Sequence, residues 1–346
     1  MSISIRHGND SRGESLTPIF IGGTGRSGTT ILFKLLRHHP QIASLSKELR
    51  IIVDPGGAID LIDSLSDNWS PYRADDAIRR FMRCLKDVRC TNRLKTNIGA
   101  VLRRVGASAP RYCGLGHGQE FGLKTYDALC RELFTRLVYH SSRGSWVASP
   151  PWHIRSSVHE SAPLSRASAC RIVERFFDAL YQNMGKMNTT HWIDSTPYSL
   201  LHVNRLCEIF PEARFVHVHR DPRDVLSSYL TKAWGGNNAL VVARRIAGVY
   251  QKWLEIRRAL PPETYLEVSL ESLTNDSTRV ASQVLQFSGL EENELPHSIV
   301  SNRRSNHARW KTDIPAKTLP AVMEILGPAI VQFGYQDDIP HSRNVA

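Results

Sequence analysis

A chain of 346 residues with 41% apolar and 22% charged residues has the mixture of a globular protein, long enough to bury a core without disulfides or metal. Its 22 glycines and 18 prolines exclude a collagen or a disordered linker, and no run approaches the ~20 apolar residues of a membrane span. A net charge of +11 favours an anionic partner, whether nucleotide, acidic substrate, membrane surface or nucleic acid, without choosing among them.

The polar residues 1–17 lack the apolar centre of a signal peptide and read as a flexible tail before a single domain over 18–346. Cys84, Cys90, Cys113, Cys130, Cys170 and Cys207 contain no C-x-x-C pair, which argues against a zinc site or disulfide framework and for a reducing, cytoplasmic setting. No cluster has metal-ligand spacing, so no metal is expected.

Pro18 to Ile21 read as a strand that runs into Gly22-Gly23 and then a helix with Ile31, Leu32, Leu35 and Leu36 on one face. The connection is Thr24-Gly25-Arg26-Ser27-Gly28-Thr29-Thr30. Its glycines let the backbone turn sharply and approach a ligand. The helix start offers unpaired N–H groups and a positive dipole end, and Arg26 with Ser27, Thr29 and Thr30 adds charge and hydroxyls: a phosphate loop. Thr29 stands where a P-loop NTPase needs lysine. His39-Pro40 ends the helix, and Gln41 to Leu45 form a second short strand.

From about 55 to 190 the pattern is mostly helical, with pieces at 75–90, 127–140 and 166–184. Strand and helix then alternate: a strand at 191–193, a helix at 198–210, a strand at 214–219, helices at 223–232 and 238–260, a strand at 265–268, and helices at 277–288 and 319–333. The fold expected is α/β, a P-loop-like parallel sheet flanked by helices, with a helical insert over about 55–190 for acceptor recognition.

In the segment Arg214 to Ser228, Asp221 can cap a helix whose first residue is Pro222, which leaves Arg220 at the strand's C-terminal end. Ser228 lies two helical turns on, so both side chains can reach one ligand at the carboxyl edge of the sheet.

Two anion sites so arranged resemble those of sulfotransferases that use 3′-phosphoadenosine 5′-phosphosulfate (PAPS). Among these the chain is most similar to the tyrosylprotein sulfotransferase-like group and its bacterial relatives. Glu48-Leu49-Arg50-Ile51-Ile52 resembles that group's Glu-x-Arg-Ile-Ile, Arg309-Trp310-Lys311 its basic-Trp segment, and Phe333-Gly334-Tyr335 its terminal Leu-Gly-Tyr. The similarity covers about 18–52 and 190–335. It implies PAPS as donor and the 3′,5′-bisphosphate PAP as product, without metal. It assigns the phosphosulfate to Gly25, Arg26, Ser27, Gly28, Thr29 and Thr30, the 3′-phosphate to Arg220 and Ser228, and further cofactor contacts to Lys232 and Arg309. Glu48 is then the base and Arg26 stabilises the leaving phosphate. Ser195 stands in place of a lysine that relatives carry, and a hydroxyl supplies no charge.

His117, in Gly116-His117-Gly118, is an alternative histidine base. Nine basic residues against one acid between Arg79 and Arg104 make either a solvated face or a mouth for an anionic acceptor. The acceptor expected is a hydroxyl or amine of a small molecule, glycan or lipid. The competing functions are a degenerate P-loop kinase and a non-catalytic nucleotide-binding protein. No motif specifies nucleic acid, and a homodimer stays open.

Overall fold

The computed structural model describes residues 15–90, 111–112, 115–146, 157–185, 188–293, 295–296 and 307–336. Five parallel strands form the central sheet: β1 (Thr17–Gly22), β2 (Ile42–Ser44), β5 (His191–Asp194), β6 (Arg214–His219) and β7 (Tyr265–Ser269), in the order β2-β5-β1-β6-β7. A separate antiparallel pair joins β3 (His140–Arg143) to β4 (Ser157–Glu160). The helices used below are α1 (Thr29–Leu36), α2 (Ala58–Leu65), α3 (Pro71–Arg89), α4 (Leu123–Leu137), α5 (Arg166–Gln182), α6 (Val203–Ile209), α7 (Pro222–Leu230), α8 (Ala239–Arg258), α9 (Leu270–Asn275), α10 (Ser277–Phe287) and α11 (Leu319–Gln332).

Strand periodicity splits the core in two. Ile19, Ile21, Ile193, Val216 and Val218 point to one face and pack with Leu32, Leu35 and Leu36 of α1 and Val280 and Val284 of α10. Phe20, Trp192 and Phe215 point to the other, where α2 to α6 supply Phe81, Phe177, Tyr181 and Leu206. Aromatic packing dominates this second face: Tyr181 stacks on Trp192 at 4.4 Å and Phe20 on Phe215 at 5.4 Å between centroids. The segment between β2 and β5 therefore rests on the sheet through the same residues that form the sheet's core. A third cluster joins α7, α8 and α11 around Trp310.

Several sequence expectations shift. Ser15 to Thr17, expected in the tail, belong to the fold: Leu16 is buried, Ser15 Oγ donates to Asp178 Oδ2 at 2.7 Å, and β1 starts at Thr17. Residues 1–14 lie outside the described residues. The helix expected from 75 starts at Pro71, capped by Ser70, a Ser-Pro start signal passed over in the sequence. The piece at 127–140 runs from Leu123 to Leu137 and ends at extended, β-branched Val138. The single helix expected over 198–210 opens as a 3₁₀ segment, Pro197–His202, and becomes α6 only at Val203. α2, α9 and the β3–β4 pair were not anticipated. Cys90 is disulfide-bonded, contrary to the expected absence of disulfides, whereas Cys84, Cys130, Cys170 and Cys207 are free. Cys113 lies outside the described residues.

Because the sheet is parallel, Gly22, Ser44, Asp194, His219 and Ser269 end their strands at one edge. From β1 the chain leaves toward β2, and from β6 toward β7 on the opposite side. The connections diverge above β1 and β6 and leave a crevice there.

Candidate functional site

The loop after β1 is built by backbone constraints. Gly23 N–H donates to Pro197 O at 2.8 Å, and a side chain at Gly23 would press on Val218 O at 2.6 Å. Gly25 and Gly28 adopt left-handed φ of 73° and 106°, and Arg26 joins them at 59°. Gly28 is the N-cap of α1, and no side chain caps that helix. Its first N–H groups therefore face the crevice with a positive dipole end. Ser27 Oγ is buried without a hydrogen-bond partner. An anion seated here would meet donors already in place.

The loop after β6 supplies the second half. Asp221 caps α7 by accepting from Arg223 N, with Pro222 in the first turn. Arg220 is 8% exposed, its carbonyl accepts from Tyr250 Oη at 2.8 Å, and its guanidinium lies 3.7 Å from Asp224 Oδ2. Asp224 also accepts from Ala308 N at 2.8 Å and Trp310 N at 3.1 Å, which ties the segment before α11 to this helix. Burial raises the Asp224 carboxyl, and Arg220 opposes that rise.

The two loops meet. Arg26 Nε donates to Ser228 Oγ at 3.0 Å, and Arg220 Nη1 reaches the Arg26 carbonyl at 3.4 Å. A cavity of about 470 Å³ is lined by Arg26, Gly28, Thr29, Thr30, Arg220, Ser228, Lys232 and Arg309. Two expected residues, Gly25 and Ser27, stand behind this wall. Gly25 lets Tyr229 Oη bond the Thr24 carbonyl at 2.8 Å, since a side chain there would come 2.5 Å from that hydroxyl. Arg309 is shared with Asp313 at 2.9 Å. Sequence reasoning missed Ile31, Asp224, Thr231, Leu270 and Thr274, which complete the lining. The signal for Leu270 and Thr274 was available: a strand beside β6, followed by a helix capped by Ser269, places α9 at the same edge.

Trp310, beside Arg309, is buried beneath the Arg223 guanidinium at 4.3 Å. Arg223 itself is fully buried, pairs with Asp221 at 2.7 Å, and donates to Tyr335 O at 2.9 Å. Gly334 ends α11 in a left-handed turn in which Tyr335 N donates to Ile330 O at 2.9 Å. Tyr335 Oη donates to Glu271 Oε2 at 2.9 Å and so accepts from His219 Nδ1 at 2.9 Å. Burial, followed by the neighbouring His217, pushes His219 down to about 3, which keeps this network neutral at its histidine.

Glu48 lies on the segment after β2, outside that cavity's lining. Leu49 N donates to Asp194 Oδ1 at 2.8 Å and Arg50 N to Thr196 Oγ1 at 3.2 Å. The turn at 194–197 thus bonds the Glu48 segment through Asp194 and Thr196, and the phosphate loop through Pro197. Ser195 is buried inside this turn. Burial, then the Asp194 carboxylate, push the Glu48 carboxyl up to about 7; Arg50, 3.5 Å away, pulls the other way. A carboxyl so tuned suits proton abstraction near neutrality. Arg50 has a left-handed φ of 60° and is held by Asp54 at 3.1 Å, itself bonded by Tyr112 Oη at 3.0 Å.

His117 is fully buried with both ring nitrogens engaged, so it is not placed to serve as the base. The basic run lies partly outside the described residues. Within them Arg79, Arg80 and Arg89 pair with Asp75, Asp76 and Asp127. Among the described residues no group of three His, Cys, Asp or Glu could hold a metal, and no helix is long and apolar enough to cross a membrane.

A sequence profile of the sulfotransferase family matches residues 18–294. The omega-hydroxy-beta-dihydromenaquinone-9 sulfotransferases Stf3 of Mycobacterium bovis and Mycobacterium tuberculosis are 27% identical over 160 residues. That match spans 42% of this chain and 41% of each relative, less than half the length of either. Among solved structures, the sulfotransferase domain of the Synechococcus PCC 7002 olefin synthase aligns with a TM-score of 0.49 and 16% identity over 97% of this chain and 100% of that one. Sulfotransferase STF9 from Mycobacterium avium aligns with a TM-score of 0.45 and 17% identity over 96% and 79%.

Proposed function

The chain belongs to the sulfotransferase family, and from that premise we propose that it moves a sulfuryl group from PAPS to a hydroxyl or amine of a small-molecule, glycan or lipid acceptor, releasing PAP. The observation that carries the reading is the 3.0 Å bond between Arg26 and Ser228, which joins two anion sites about 200 residues apart into one cavity. A donor with phosphates at both its 5′ and 3′ positions needs such a pair. The residues present fit it: an uncapped helix start with the Arg26 guanidinium at one end, a nearly buried arginine with a serine at the other.

In this reading PAPS supplies the sulfuryl group, whose bond to the 5′-phosphate breaks as a bond to the acceptor oxygen or nitrogen forms. Glu48 takes the acceptor's proton. Arg26 and the N–H groups of Gly28, Thr29 and Thr30 meet the charge left on the 5′-phosphate. Arg220 and Ser228 hold the 3′-phosphate with Lys232 and Arg309 nearby, and this remote binding positions the reacting end. Ser195 offers no charge, so Arg26 carries the stabilisation that relatives share with a lysine. The segment over about 55–190, part of the single domain that begins near residue 18, is assigned to acceptor recognition.

Action in the cytoplasm belongs to the same proposal. The four free thiols support it, and the disulfide at Cys90 argues the other way. The test is incubation with PAPS and a library of hydroxyl and amine acceptors, read by mass spectrometry. An acceptor gaining one sulfuryl group, with PAP formed in equal amount, is the expected result. Tight PAP binding without transfer to any acceptor would make the protein a nucleotide-binding module.

A further inference from the structure

Among the described residues the Glu48 side chain bonds only Arg50, at 3.5 Å, so its placement depends on how its backbone is held. On one side Leu49 and Arg50 hang on Asp194 and Thr196, as described above. The other side is held from the segment between β2 and β5. His117 Nε2 lies 3.0 Å from the Glu48 carbonyl, which can only accept, so this nitrogen carries the hydrogen. His117 Nδ1 lies 3.3 Å from Glu120 Oε1, also an acceptor, so this bond forms when the ring carries a hydrogen on both nitrogens; Glu120 accepts as well from Ser46 N at 2.6 Å and Ser46 Oγ at 2.8 Å. One short helical turn, His117–Glu120, thus grips residues 46 and 48 on both sides of Lys47.

The glycines around His117 have a use here. Gly116 takes a left-handed φ of 89° to start the turn. A side chain at Gly118 would come 2.7 Å from Arg89 Cα, so only glycine lets the turn wedge against the end of α3. His117 itself is 0% exposed, and the Glu120 carboxyl is lowered by its bonds to His117 and Ser46 despite the opposing effect of burial.

We infer that His117 and Glu120 are positioning residues for Glu48, through which the segment between β2 and β5 fixes the base relative to the phosphate loop. The inference rests on the proposed role of Glu48. It explains why His117 is buried with both nitrogens bonded: its work is mechanical rather than chemical. A displacement near 1 Å at a reacting group costs about 100-fold in rate. Loss of the clamp therefore lowers kcat while nucleotide binding, set in the separate cavity, stays put.

The experiment compares Glu48→Gln, His117→Ala, His117→Gln and the double variant Glu48→Gln/His117→Ala, measuring kcat with the acceptor found in the library screen and PAP affinity by calorimetry. His117→Ala should lower kcat tenfold or more with PAP affinity within twofold. His117→Gln, whose amide reaches the same carbonyl, should recover most of it, and the double variant should be no slower than Glu48→Gln. Wild-type kcat in folded His117→Ala alongside an inactive Glu48→Gln overturns this inference alone, as do losses that multiply in the double variant. Full activity in Glu48→Gln overturns the base assignment and this inference with it. Should His117→Ala fail to fold, Glu120→Gln takes its place: kcat reduced threefold or more with unchanged PAP affinity is expected, and wild-type kcat contradicts the clamp.

Discussion

The cavity beneath the phosphate loop and the Glu48 segment beside it are held by different means. In the cavity, charged side chains are the working parts, and each is braced by a neighbouring side chain: Arg220 by Asp224, Arg26 by Ser228. On the Glu48 segment it is the backbone that is braced, through Asp194, Thr196 and His117, while among the described residues the side chain bonds only Arg50. The first arrangement gives a rigid site for fixed anions. The second leaves a carboxyl free to change its protonation within a fixed frame. Binding and proton transfer should therefore be separable by mutation.

Glu48→Gln should separate them most sharply. Loss of a general base costs about 100- to 10,000-fold in turnover, while PAP affinity measured by calorimetry should change less than threefold. Arg220→Ala should do the reverse. A hydrogen bond to a charged group contributes about 1.5–3 kcal/mol, so PAP binding should weaken by about one to two orders of magnitude, and acceptor KM should be unaffected. Asp221→Ala tests the frame behind the cavity: it strips the cap of α7 and strands the buried Arg223 guanidinium, at a cost of about 3–5 kcal/mol in urea unfolding. The pH profile gives a gentler test. Because the Glu48 carboxyl is raised to about 7 and the ionised form accepts the proton, kcat should fall as pH drops through about 7 and level off above it. A profile flat from pH 5 to 9 would remove Glu48 from the proton-transfer step. Lys232→Ala should show the smallest effect, a weakening of PAP binding by a fewfold that shrinks further with added salt.

The two regions were also unequally legible in the sequence. The cavity's residues follow strand ends within a few positions, where Gly-rich turns, Asp-Pro caps and the parallel order of β1 and β6 dictate their placement. Arg26, Ser228 and Arg220 could therefore be paired without knowing any long-range contact. Glu48 was found by resemblance, but what holds it was not. Ser46 stands 74 residues before Glu120, and nothing in the 3.6-residue periodicity of α3 or α4 reports where their ends meet. The same blindness explains Trp310. Its burial depends on Arg223, a charge that the sequence suggests should face water and that the fold encloses because Asp221 accompanies it.

The account depends most on one cavity gripping a nucleotide by two separated phosphates. Calorimetric titration of wild type and Arg220→Ala with PAP, and in parallel with adenosine 5′-monophosphate, tests this directly. The variant should lose about tenfold or more in affinity for PAP and bind the monophosphate as wild type does. An equal loss for both nucleotides, or none for either, would show that Arg220 does not hold a 3′-phosphate and would contradict the account.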